Sequence, residues 1–177
     1  MSVKIIHITG ASGAGTTTLG NALHKRYGYA HFDTDDFFWE QTDPPYTQKR
    51  EEPQRRALLE NAMDSAEKCI VSGSLTGWGD LFIPRFTLVI YVVAPTEIRL
   101  QRLRDREYRR FRDRILPGGD MFEEHEAFIK WAGEYDAGGM EMRSALRHRE
   151  WLKQIACPVL EVHADTPLED TLQRIGL

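Results

Sequence analysis

Between residues 10 and 17 the chain reads Gly10-Ala11-Ser12-Gly13-Ala14-Gly15-Thr16-Thr17, followed by Thr18. Glycines at these intervals let a backbone wrap closely around an anion, with successive N–H groups turned inward. The spacing is that of the phosphate-binding frame G-x-x-x-x-G-K-[ST], met at every fixed position except the lysine, where Thr16 stands. Thr17 takes the hydroxyl position that ligates Mg²⁺ in such loops.

Two charged groups fit the same chemistry. Asp33-Thr34-Asp35-Asp36 follows a short apolar run. Read as extended chain, it turns Asp33 and Asp35 to one side, Asp33 to hold the metal and Asp35 to orient a phosphoryl acceptor or take its proton. The same residues also read as a solvated acidic turn that caps a following helix. Farther on, eight arginines crowd residues 99–114, and Arg99, Arg102, Arg106 and Arg110 recur at helical spacings of three and four. On one stripe they offset the missing lysine, Arg102 at the nucleotide and Arg106 and Arg110 at the transferring group, since a planar guanidinium binds two oxygens at once. The plainer alternative pairs them with Asp105, Glu107 and Asp113 on a solvated face.

For the acceptor, Trp39, Tyr46 and Trp78 lie in loops after strands, with Gly73 and Ser74 opening a glycine-rich turn. Ordinary packing accounts for the aromatics equally well. The six histidines show no metal-ligand spacing, and Asp136-Ala137-Gly138-Gly139 suggests a loop without specifying a chemistry.

Alternating patterns supply the scaffold. Strands are expected over residues 3–8, 29–32, 69–72, 88–94 and 159–163. A helix carries Leu19, Ala22, Leu23 and Tyr27 on one face and stops at Gly28. Further helices are expected over 53–67, after Pro95-Thr96, twice before the last strand and at the C-terminus. Residues 107–121 read as a mobile loop. The continuous apolar run 88–94 fits a strand covered on both faces, as in parallel sheets. Strand–helix alternation then gives a doubly wound α/β sheet with right-handed crossovers.

A chain of 177 residues with net charge -4 suffices for one domain and gives no sign of nucleic-acid binding. Two cysteines, Cys69 and Cys157, are expected as free thiols buried in strands. No apolar stretch approaches the roughly 18 residues of a membrane span, and a strand-like run begins almost at once, so a cytoplasmic protein without a signal peptide is expected.

A dinucleotide-binding loop is the rival reading, because Thr9-Gly10-x-x-Gly13 also opens such sites and Asp33 or Asp35 resembles their ribose-binding acid. It requires a third glycine where Thr16 stands, and no Tyr-x-x-x-Lys pair is present. Taken together, the loop and the Pro95-Thr96-Glu97 helix entry with Arg102 and Arg106 resemble the adenylate kinase-like nucleoside monophosphate kinases. The Asp-Thr-Asp element and the loop from Gly73 are similar to those of shikimate kinases, and residues 162–167 resemble the adenine-side loop of both groups. Strand three ends in Ser72-Gly73-Ser74, not the aspartate usual in adenylate kinases, and their acceptor arginine is absent.

The resemblance implies a three-layer αβα P-loop fold with five parallel strands ordered 2-3-1-4-5, and one domain, residues 1–177, with a lid and helical insertion at about 107–155. It implies ATP and Mg²⁺ as cofactors and a small-molecule acceptor, a nucleoside monophosphate or, alternatively, a metabolite hydroxyl. A non-catalytic nucleotide-binding regulator is the other class, favoured by the absent lysine. The oligomeric state is left open.

Overall fold

A computed structural model of the protein describes residues 4–177. Val3, the first residue of the first expected strand, lies outside them. Five strands form, β1 (Ile5–Gly10), β2 (Ala30–Asp33), β3 (Cys69–Ser72), β4 (Leu88–Val93) and β5 (Val159–His163). They pair in parallel in the order β2-β3-β1-β4-β5. This is the expected fold and strand order.

Burial explains why the central strands are apolar throughout. β3 is buried at all four residues and β1 at its last five, whereas edge strand β5 is largely exposed. Ile6, Ile8, Ile70 and Ile90 pack on one face with Leu19, Leu23 and Leu172. Cys69, Val71 and Val89 pack on the other with Leu59, Phe82 and Trp151. Helices therefore cover both faces, as the two-sided burial of a parallel sheet requires.

The helices are α1 (Thr16–Tyr27), α2 (Thr34–Phe38), α3 (Glu52–Asp64), α4 (Thr96–Phe111), α5 (Phe122–Gly133), α6 (Ala145–Leu152) and α7 (Leu168–Ile175). Gly28 ends α1 in the left-handed conformation, its N–H donating to His24 O. Residues 107–121 are not one loop: α4 runs on to Phe111, and a 3₁₀ turn, Arg112–Ile115, follows. The helix extends because arginine and leucine favour it and because Leu103 packs with Ile129 and Ala132 of α5.

Cys69 is buried in β3, where desolvation raises its thiol to about 11. Cys157 corrects the other half of the expectation: it precedes β5 and is only partly buried, and both thiols are free. Among the described residues no helix is long and apolar enough to cross a membrane.

Candidate functional site

Because all five strands run the same way, their carboxyl ends share one edge. Register places Gly10 beside Val92, and Ile8 and Asp33 both beside Ser72. The chain leaves β1 in a tight turn, Ala14 N–H donating to Ala11 O at 3.0 Å, and enters α1 after Gly15. Gly13 has φ 80°, and a Cβ there would sit 2.6 Å from the Arg99 carbonyl oxygen, so only glycine fits the loop against α4. The first turn of α1 carries no acid, while His24, Lys25 and Arg26 lie in its last turn. The positive end of the helix dipole therefore faces the loop unopposed, as an anion site needs.

Asp33 ends β2 and caps α2. Its Oδ1 accepts the Asp35 N–H at 3.0 Å, and its Oδ2 accepts the Thr17 hydroxyl at 2.6 Å. This corrects the extended reading of residues 33–36: Asp33 and Asp35 are brought together by a helix cap, and the capping alternative holds at the same time as the contact with Thr17. Asp35 opens to the cavity but is crowded by protein on its other sides. That desolvation, and next the charge of Asp33, raise its pKa, while the guanidinium groups of Arg143 and Arg106 pull it back. Asp36 is raised in the same way, by burial first and Asp33 second.

A cavity of about 600 Å³ opens at this edge. Ala11, Ser12, Gly13, Thr16 and Thr17 line one end, with Asp33 and Asp35 beside them. Trp39, Tyr46, Gly73, Ser74 and Trp78 line the other, with Arg106 and Arg110 along the side. Of the residues expected at the site, Gly10, Ala14, Gly15, Thr18 and Arg102 lie outside this lining. Gly10, Ala14 and Gly15 shape the loop from behind, and Thr18 is exposed on α1. The wall at this second end is held by rings: Phe38 meets Trp39 at 5.0 Å and Trp78 at 6.0 Å, and Trp39 meets Tyr46 at 6.1 Å. Trp78 Nε1 donates to Ser74 O at 2.9 Å, which fixes the glycine-rich turn.

The expected arginine stripe divides. Arg99 is fully buried. Its five donors go to Ala94 O, Ser12 O, Ala132 O, the Thr96 hydroxyl and Asp136, and its guanidinium lies over the Tyr135 ring at 5.0 Å. Arg99 is thus a strut behind the loop and not part of an open stripe. Arg102 bridges Ala14 O and Ala164 O. Arg106 pairs with Glu107, as the solvated-face alternative had it, although Glu107 is buried and both line the cavity. Arg110 reaches the Tyr46 hydroxyl at 3.4 Å.

Sequence reasoning missed Arg143, Lys49, His125 and Trp131, all in the cavity wall. Arg143 Nη2 donates to Gly10 O at 2.6 Å, and its Nη1 lies 3.5 Å from the Ser12 hydroxyl. Nothing in the sequence marks it, since 133 residues separate it from its partner Gly10. A buried polar cluster was missed too. Tyr135 OH meets His148 Nδ1 at 2.7 Å and Tyr91 OH at 2.9 Å. His7 bonds Val71 O, stacks on Phe86 at 5.0 Å and meets Trp151 edge-on at 5.5 Å. Burial lowers His7 to about 4 and His148 to about 3.

Among the described residues no group of three His, Cys, Asp or Glu side chains could hold a metal alone. The Thr17 hydroxyl and Asp33 carboxylate supply hard oxygen donors of the kind Mg²⁺ takes when phosphates and water complete its shell.

Residues 6–130 match the AAA domain family (AAA_18). The chain is 44% identical over 172 residues to the uncharacterized protein YqaC of Bacillus subtilis (strain 168), covering 97% of this chain and 95% of that one. It is 31% identical over 114 residues to cytidylate kinase of Pyrococcus abyssi (strain GE5 / Orsay), covering 58% of this chain and 61% of the enzyme. Among solved structures, shikimate kinase from Acinetobacter baumannii in complex with shikimate matches with a TM-score of 0.55 at 18% identity, covering 98% of this chain and 93% of that one. At that identity the likeness concerns the fold.

Proposed function

The chain belongs to the AAA domain family (AAA_18), and on that premise we propose that it is an ATP-dependent phosphotransferase that moves the γ-phosphoryl group to a small acceptor. The observation that carries this reading is the convergence in one cavity of the phosphate loop, the Thr17–Asp33 pair and Asp35. The cytidylate kinase relative supports the same class.

In this reading the residue 10–17 backbone and the α1 N-terminus hold the nucleotide phosphates, with Thr18 and Arg102 at the nucleotide side. Thr17 and Asp33 hold Mg²⁺, which when bound offsets charge on the β- and γ-phosphates. Asp35 meets the acceptor, Arg106 and Arg110 offset charge on the transferred group, and Trp39, Trp78, Gly73 and Ser74 enclose the acceptor. Transfer needs little covalent chemistry, so orientation and charge neutralisation carry the rate. Residues 1–177 act as one domain, with about 107–155 as lid and insertion, in the cytoplasm and without nucleic acid or membrane.

A nucleoside monophosphate is the leading acceptor: Lys49, Arg106 and Arg110 suit an anion, and Trp39, Tyr46 and Trp78 suit a flat ring. A metabolite hydroxyl is favoured by one specific feature, the raised pKa of Asp35, because a hydroxyl must give up its proton and a phosphate need not.

The test is ADP formation from Mg-ATP against nucleoside monophosphates and hydroxylated metabolites. Turnover is expected with one class, and Asp35→Asn is expected to lower it about 10²- to 10⁴-fold with ATP affinity little changed. ATP binding without turnover on any acceptor would move the protein to the regulatory class.

A further inference from the structure

Thr16 leaves the loop without the side chain that elsewhere reaches the outer phosphates, so that charge must be met from another part of the chain. Three arginines touch the loop. Arg99 lies behind it with all five donors engaged. Arg102 spans Ala14 O and Ala164 O and lies outside the cavity lining. Arg143 alone of the three lines the cavity.

Its placement differs in kind from that of the α4 arginines. Nη2 is anchored on Gly10 O, the carbonyl that opens the loop, and Nη1 makes one long contact with Ser12 Oγ. Nε is buried without a partner. Two of five donors are thus engaged within the protein, and an oxyanion in the loop is the kind of group that would take up others. Among the described residues no carboxylate pairs with Arg143 directly; burial lowers its pKa, and nearby Asp35 and Asp33 only partly offset that desolvation. Ser144, next in the chain, caps α6 through Arg147 N–H and donates to Gly139 O at 2.7 Å, while Ala145 N–H bonds Tyr135 O. These three contacts hold the arginine on fixed chain before any ligand arrives.

We infer that Arg143 takes the place of the missing loop lysine and neutralises the outer phosphates of the bound nucleotide from the insertion side. The inference rests on the reading of the loop as a nucleotide site but not on any acceptor. It makes Arg143 a nucleotide-contacting residue that ties the insertion to loop occupancy, as a lysine within the loop could not.

The test compares Mg-ATP affinity by calorimetry in the wild type, Arg143→Met, Arg143→Lys and the double variant Thr16→Lys/Arg143→Met, each with its melting temperature. Arg143→Met is expected to weaken ATP at least tenfold, Arg143→Lys by less, and the double variant to regain most of the loss. ATP affinity within threefold of wild type in Arg143→Met overturns the inference. So does a double variant that melts like wild type yet regains nothing. If Arg143→Met folds poorly, Arg143→Lys decides it: an Arg143→Lys variant that melts like wild type and binds Mg-ATP as tightly as wild type overturns the inference. Wild-type ATP binding without turnover would sink the phosphotransferase reading and leave this one standing; no ATP binding at all would end both.

Discussion

At one end of the cavity the wall is mostly backbone, the residue 10–17 loop, wedged between β1 and α4 and backed by the fully buried Arg99. At the other end it is mostly side chains: Trp39 meets Tyr46 edge-on, and Trp78 is joined to them through Phe38. A backbone wall holds a ligand common to many enzymes and changes only with the fold. A side-chain wall changes with single substitutions. On the proposed reading the difference teaches where specificity would reside: the backbone end would fix the kind of reaction, and the side-chain end would select the substrate.

That division can be broken in three places. The largest effect is expected from Arg99→Ala, which strips partners from Ala94 O, Ser12 O and Ala132 O and leaves a cavity. Each buried acceptor left unpaired costs about 1–3 kcal/mol, so a loss of several kcal/mol is expected, read by denaturant unfolding. A loss below about 1 kcal/mol would mean that the phosphate end does not depend on its strut.

Next comes acid. Folded His7 takes a proton only near pH 4, whereas in the unfolded chain it does so near 6.5. The unfolded state therefore binds more protons between those values, and stability falls as pH drops from about 6.5 to 4. His7 alone accounts for about 3 kcal/mol, with His148 extending the loss to lower pH. His7→Phe should flatten that part of the stability–pH curve. An unchanged curve would remove the buried cluster from the account.

The smallest effect tests the acceptor end. Trp39→Ala is expected to raise the acceptor KM about tenfold while the ATP KM stays within about twofold. A variant that weakened both substrates alike would erase the distinction between the two ends.

The same contrast governs what could be read in advance. The loop was legible because its chemistry is contiguous, and the sheet order followed from the resemblance its motifs carry. Asp33 and Asp35 were placed at the right edge but on the wrong geometry. An aspartate followed by two more acids within one turn is a helix-start signal, and it prevailed over strand continuation. The spacing of Arg99, Arg102, Arg106 and Arg110 identified a helical face without saying which member faces inward. Only the tertiary packing, which sets Arg99 among the carbonyls of Ala94, Ser12 and Ala132, decides that. Arg143 had no local signature because its placement in the cavity wall comes from a contact across most of the chain.

The tryptophans carry one more consequence. Three of the four, Trp39, Trp78 and Trp131, line the cavity, and the fourth, Trp151, rests against His7 and donates to Asp80 beneath the sheet. Intrinsic fluorescence therefore has two channels built in. Emission from the first three should report occupancy of the cavity, while quenching of Trp151 follows the protonation of His7, so filling and acid damage can be watched in an unlabelled protein.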